Sequence, residues 1–145
     1  MPVPRGPEVR RRVNRAEIQT ALEAAGLPAG DWVVHGSAVM VLHGLIPEAG
    51  DVDVIARGAA WQIALTLGES VNGVEDVCVR LAPGLEIWSG WLGEDVGELI
   101  DCAQTTDGVP CVSLSEVLRF KVAMNRPKDQ EHISLLRAAL QRTNA

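Results

Sequence analysis

Two aspartates two residues apart, Asp51 and Asp53, are the residues of this 145-residue chain best suited to chemistry. They begin the run Asp51-Val-Asp-Val-Ile-Ala56, whose opening alternation has the period of a β-strand. A spacing of two on a strand places both carboxylates on one face, with Val52 and Val54 toward the core. Neighbouring carboxylates repel unless they are solvated or share a cation. Hard oxygen ligands of this kind suit Mg²⁺, or Mn²⁺ in its place. The plain alternative is two acids on the solvent face of an amphipathic strand.

Three further features carry possible chemistry. The first is His35-Gly36-Ser37, between a short apolar strand and an apolar helix. Its glycine lets backbone approach a ligand closely, and the serine adds a hydroxyl, so a phosphate fits there; an ordinary turn and N-cap fit equally. The second is Glu86, between Leu85 and Ile87 on a strand, facing away from the core together with Trp88. If its strand lies beside that of Asp51 and Asp53, three carboxylates meet; Asp101 is a rival for the same role. The third is the group Lys121, Arg126, Lys128 and Asp129 around Pro127. Its cations suit nucleotide phosphates across a cleft from the carboxylates, and equally a wet basic surface with Asp129 as a helix cap.

The elements that must position these residues follow from periodicity and punctuation. Residues 1–13 hold three Pro and four Arg without apolar periodicity and read as a flexible arm before a single domain over 14–145. Asn14 and Glu17 have capping-box spacing for a helix bearing Ile18, Leu22 and Ala25, ended by Gly26 and Pro28. A strand at Trp32–Val34, a buried helix over 38–45, a turn over 47–50 and a strand over 51–56 come next. A helix over 59–68 has a face marked by Trp61 and Leu65. Strands at 77–81 and 85–88 flank an Ala-Pro-Gly turn. Residues 98–104 fit either a strand or a short helix. Val109–Val112 reads as an edge strand because Pro110 lacks a donor. Ser113 and Glu116 open a helix with Leu114, Val117, Leu118 and Val122 inward; Pro127 breaks it, and Asp129 opens a last helix bearing Ile133, Leu136 and Leu140. This order predicts a mixed α/β (α+β) domain rather than a regular βαβ series.

Composition narrows the classes. Apolar content of 47% with charged content of 22% describes a globular chain. No apolar run approaches the ~18 residues of a membrane span, so no membrane partner is expected. Four Trp, one Phe and no Tyr argue against a single-strand binder built on stacked aromatics. Cys78, Cys102 and Cys111 show no metal-ligand spacing and fit a reducing cytoplasm better than a disulfide framework. The net charge of −6 divides unevenly: residues 1–15 carry five Arg against Glu8, residues 16–118 carry Arg57 and Arg80 against sixteen acids, and residues 119–145 carry six basic residues against Asp129 and Glu131. An acidic middle suits cations and basic ends suit phosphate, although a solvated acidic surface with a basic tail has the same pattern.

Taken in order, Gly36-Ser37 at a helix start, Asp51-x-Asp53 on a strand and then an isolated strand carboxylate resemble the nucleotidyltransferase fold of the DNA polymerase β superfamily. The segment from Leu114 to Leu136 is similar to the Leu-x-x-Lys…Arg-x-Lys-Asp…Ile-x-x-Leu segment of small stand-alone nucleotidyltransferases, including the AbiEii-like toxins of abortive-infection and toxin–antitoxin systems. The resemblance spans roughly residues 16–140. It implies a mixed central sheet with flanking helices and two C-terminal helices. It also implies that Gly36, Ser37 and Lys121 hold an NTP, that Asp51, Asp53 and Glu86 ligate Mg²⁺ or Mn²⁺, and that Asp129 orients its neighbours. The implied reaction moves an NMP from NTP to a hydroxyl on RNA such as tRNA, on protein or on a small molecule, with a cognate antitoxin as a further expected partner.

Two departures from the family pattern stand out. The approach to Asp51 is Pro47-Glu-Ala-Gly50, without the Arg-x-Thr/Ser that commonly precedes the acidic pair, and the third carboxylate is Glu rather than Asp. These changes favour a second expectation, a catalytically silent nucleotidyltransferase-like protein that binds a nucleotide or a regulatory partner. A third is an acidic α/β domain with no nucleotide role.

Overall fold

A computed structural model describes residues 12–72, 76–81 and 84–143. The architecture is mixed α+β, with a mixed sheet and, among the described residues, six α-helices. Strand β1 (Val13–Asn14) leads into α1 (Arg15–Ala25), β2 (Trp32–His35) and α2 (Ser37–Leu42). Then come β3 (Glu48–Ala49), β4 (Val52–Ala56), α3 (Gly58–Leu67) and β5 (Ser70–Asn72). Strands β6 (Val77–Leu81) and β7 (Leu85–Trp88) precede α4 (Val96–Asp101), β8 (Gln104–Thr106) and β9 (Val109–Cys111). The chain closes with α5 (Leu114–Met124), a 3-10 turn at Pro127–Asp129 and α6 (Gln130–Thr143). No helix among the described residues is long and apolar enough to cross a membrane.

Seven strands form the main sheet in the order β5-β6-β7-β4-β2-β9-β8. β4 lies at its centre, parallel to β7 and antiparallel to β2. Val54 and Ile55 are both fully buried, and because successive strand residues point to opposite faces, the sheet is covered on both sides at its centre. α2 and α5 pack against each other, α5 packs on α6, and α3 and α4 lie against strands of the sheet.

The capping box at Asn14 forms in full, with Glu17 N–H donating to Asn14 and Glu17 returning to the Asn14 N–H, each at 3.0 Å. Ser113 caps α5 through the Glu116 N–H at 3.1 Å, but the Glu116 carboxylate turns to His35 and Arg119 instead of the cap.

Several expectations are corrected. Val109–Cys111 is not an edge strand: β9 lies between β2 and β8. Pro110 is tolerated there because the β2–β9 ladder is short. Val112 N–H donates to Val34 (3.0 Å), so the position of Pro110, two residues earlier on the same side, lies before that ladder. The expected arm over 1–13 lies outside the described residues except for Arg12 and Val13. Val13 is buried and pairs with Ala49, which also makes part of the expected 47–50 turn a strand. Residues 98–104 divide between α4 and β8. Leu65 on α3 and Val122 on α5, expected inward, are exposed, while Ala60, Ala64 and Val117 form the buried faces. Residues 82 and 83 of the expected Ala-Pro-Gly turn lie outside the described residues.

Candidate active site

The strand registers align four polar side chains in one row across the sheet. His35 on β2 is opposite Asp53 on β4, Asp53 is opposite Glu86 on β7, and Glu86 is opposite Arg80 on β6. The alternation of each strand places these four on the same face. β7 is therefore the neighbour of the Asp51–Asp53 segment, as a meeting of three carboxylates requires. Asp101 is not part of it, being held by Arg57 at 2.7 Å.

Asp53 is partly buried between two fixed groups. Trp88 Nε1 donates to its Oδ1 at 3.2 Å, and its Oδ2 lies against Gly36. A Cβ built on Gly36 would stand 3.1 Å from that oxygen, and Gly36 has φ of +76°, so both space and backbone call for glycine at this point. Burial, with smaller contributions from the Glu86 and Asp51 charges, raises the Asp53 carboxyl to about 7, against the pull of the Trp88 donor. Glu86 is engaged with Arg80, Oε2 to Nε at 3.1 Å.

In the same cleft, α5 brings Lys121 to the start of α2. Lys121 Nζ donates to Ser37 Oγ at 2.9 Å and to Asp129 Oδ1 at 3.4 Å. Lys121 and Asp129 are both buried. Burial pulls the Lys121 ammonium below its usual range despite the adjacent carboxylate. For Asp129, burial is outweighed by Arg126, which donates from its backbone N–H and its guanidinium (2.7 and 3.1 Å), so the carboxyl lies below its usual range. Asp129 thus ties the 3-10 turn to α5 rather than serving as a simple cap of α6.

His35 is fully buried, and Gly36 N–H donates to its Nδ1 at 2.7 Å. Nδ1 is therefore an acceptor and the proton resides on Nε2, which faces Glu116 Oε2 at 3.2 Å. Burial holds this imidazole below its ordinary range, in keeping with a neutral ring that braces the Gly36 turn.

The seven residues to which the resemblance gives a role (Gly36, Ser37, Asp51, Asp53, Glu86, Lys121 and Asp129) line one cleft of about 680 Å³, together with Arg126 and Lys128. The cleft also includes residues that sequence reasoning missed: Arg12, Asp76, Trp91, Phe120 and His132. Trp88 carried a signal, since strand alternation places it with Glu86. His132 carried only its place one helical turn beyond Asp129; it reaches Ser37 Oγ with Nδ1 at 3.5 Å. Trp91 and Asp76 lie outside any periodic pattern and carried none.

The donor set suits a hard divalent cation in its chemistry: carboxylate oxygens, one of them made basic by burial and like charge. In its geometry it stops short, because among the described residues no group of three or more His, Cys, Asp or Glu side chains stands close enough to hold a metal ion. A second cleft, of about 340 Å³, includes Glu94, Glu116 and Arg119, in which the guanidinium is held by both glutamates. In comparisons with known proteins, no family model, no curated protein and no solved structure matches this chain.

Proposed function

We propose that this chain is a metal-dependent nucleotidyltransferase that moves an NMP from an NTP to a hydroxyl acceptor. The observation that carries the reading is the cleft itself. It opposes a partly buried carboxylate row (Asp53 and Glu86, with Asp51 adjoining) to a cation–hydroxyl pair (Lys121 and Ser37). Carboxylates and a cation–hydroxyl pair in a single cleft suit phosphoryl chemistry better than either half would alone.

In this reading Lys121 and Ser37 bind the triphosphate, with Arg126 and Lys128 at the cleft adding charge. Asp51 and Asp53 would hold Mg²⁺ or Mn²⁺, with Glu86 joining them on leaving Arg80. The ion, when bound, supplies charge stabilisation at the α-phosphate. The acceptor hydroxyl oxygen forms a bond to the α-phosphorus. The bond from that phosphorus to the bridging oxygen breaks, and pyrophosphate leaves with the electron pair. The hydroxyl proton passes to the Glu86 carboxylate. RNA such as tRNA is one acceptor class in keeping with Arg12 and Lys128 at the cleft, and a toxin with a cognate antitoxin is the cellular role in keeping with the resemblance.

A second reading, a catalytically silent nucleotide-binding or regulatory protein, is favoured by one observation: Arg80 occupies Glu86 Oε2. Incubation with each α-labelled NTP, Mg²⁺ and total RNA or cell protein separates the two. Label transfer with pyrophosphate release supports the enzyme. NTP binding by calorimetry without transfer supports the silent protein, and the absence of both removes the nucleotide reading.

A further inference from the structure

One wall of the cleft is aromatic in a chain that has only four Trp and one Phe. Trp88, Trp91 and Phe120 all line it. Trp91 packs on Phe120 with ring centroids 5.1 Å apart, on His35 at 4.9 Å and edge-on to Trp88 at 6.1 Å. Such mutual packing, with Trp88 edge-on to Trp91 (77° between planes) and Phe120 tilted by 39°, holds the rings in place beside the carboxylate row.

That wall carries two indole donors, and their situations differ. The Trp88 N–H is committed to Asp53 Oδ1. The Trp91 N–H is buried and has no hydrogen-bond partner, although Trp91 is only 7% exposed. A buried donor left unpaired is costly, so any state that offers it an acceptor is favoured. Trp32 Nε1 also lacks a partner, but Trp32 lines neither of the two clefts.

Next to Trp91, the chain is strained where it borders the cleft. Leu92 holds φ of +51°, a left-handed backbone that disfavours a bulky side chain, and it is 53% exposed. Asp76 holds this conformation by accepting from the Leu92 N–H at 3.1 Å.

We propose that Trp91 reads the base of a nucleotide bound in this cleft, its indole N–H donating to an acceptor atom on the edge of a nucleobase held at the aromatic part of the lining. A nucleobase combines the two properties that this part of the cleft asks for, apolar ring surface and an edge bearing carbonyl or ring-nitrogen acceptors. The inference rests on the proposed nucleotide cleft. Lys121 and Ser37 take the phosphates, and the wall takes the other end of the same molecule or the end base of an RNA acceptor.

The test uses the full chain labelled with ¹⁵N. Four indole N–H resonances are expected from four Trp. Trp91→Phe assigns the one in question, and should that variant not fold, the three other Trp→Phe variants assign it by elimination. Tripolyphosphate, each of the four NTPs with Mg²⁺, and an RNA trinucleotide ending in a 3′-hydroxyl are titrated separately. The expected result is a downfield shift of the Trp91 indole proton with NTP and no shift with tripolyphosphate. Trp91→Phe is expected to weaken NTP binding by roughly 5- to 10-fold, one neutral hydrogen bond, and to leave tripolyphosphate binding within about twofold. A shift with the trinucleotide instead of NTP keeps the inference and assigns the base to the acceptor. Tripolyphosphate binding with the Trp91 resonance unmoved by every base overturns the inference and leaves the phosphate site standing. No binding of any probe overturns both.

Discussion

Lys121 Nζ stands 2.9 Å from Ser37 Oγ, joining the last turn of α5 to the first turn of α2. The lysine occupies a helix position that is otherwise part of a buried face, and two acceptors make that possible: the Ser37 hydroxyl and the Asp129 carboxylate. Without them a buried ammonium would be prohibitive. A group held this way is preorganised to meet an anion.

Lys121→Met keeps the side-chain stem and removes the charge. Asp129 retains Arg126, so the fold is expected to persist by circular dichroism. Tripolyphosphate and NTP binding are expected to weaken by roughly 10- to 100-fold in calorimetry, the range of one charge-assisted hydrogen bond. Unchanged affinity would remove Lys121 from the phosphate site.

Asp129→Asn tests the tie between α5 and the 3-10 turn. Removing this charge leaves the buried Lys121 uncompensated, at a cost of about 3 kcal/mol in urea unfolding at pH 7. The Asp129 carboxyl lies below its usual range in the folded chain, so its stabilisation is complete above the unfolded carboxyl value of ~4 and is lost as pH falls through the folded value. The stability gap between wild type and variant should therefore narrow on acidification below pH ~4. A gap that stays constant down to pH 2 would show that the ionised carboxylate is not its source.

Asp53 has the opposite sign. Its carboxyl, raised to about 7 when folded, favours the folded state while protonated. That contribution is complete below the unfolded value of ~4 and is lost as pH rises through about 7. Relative to wild type, Asp53→Asn should gain stability, on the order of a few kcal/mol, as pH is raised from 4 to 8. A cation that binds the ionised carboxylate offsets the loss. Mg²⁺ is accordingly expected to raise the melting temperature of wild type at pH 8, to do little at pH 5, and to leave Asp53→Asn unmoved at both. Equal Mg²⁺ effects on wild type and variant would place the ion elsewhere.

Much of this site was legible because it depends on local rules. Alternation predicts Asp51 and Asp53 on one face; Asp51 falls just before β4, yet both line the cleft, as do Glu86 and Trp88, which the same rule turns together on β7. Glycine followed by serine between strand and helix marked a backbone open to a ligand; in the fold the space beside Gly36 is taken by Asp53 Oδ2. What periodicity cannot carry is which strands become neighbours. The row from His35 to Arg80 depends on three strand pairings, and so Arg80 could not be foreseen as the partner of Glu86. Pro110 misled for the same reason: a missing donor excludes one ladder position, not an interior strand with a short ladder. Lys121 broke the apolar face expected of α5 because the acceptors that satisfy it lie 84 residues earlier at Ser37 and 8 residues later at Asp129. Trp91 lies in a stretch without period, and only its place beside Phe120 and His35 gives it meaning.

The central claim is that Asp51 and Asp53 drive nucleotidyl transfer in this cleft. The most direct measurement is transfer of label from each α-labelled NTP, with Mg²⁺, to total RNA and to cell protein, comparing wild type with Asp51→Asn/Asp53→Asn. Wild type is expected to transfer label with matching pyrophosphate release, and the double variant to lose at least ~100-fold, as when ligands of a catalytic metal are removed. Transfer by the double variant at the wild-type rate would contradict that claim.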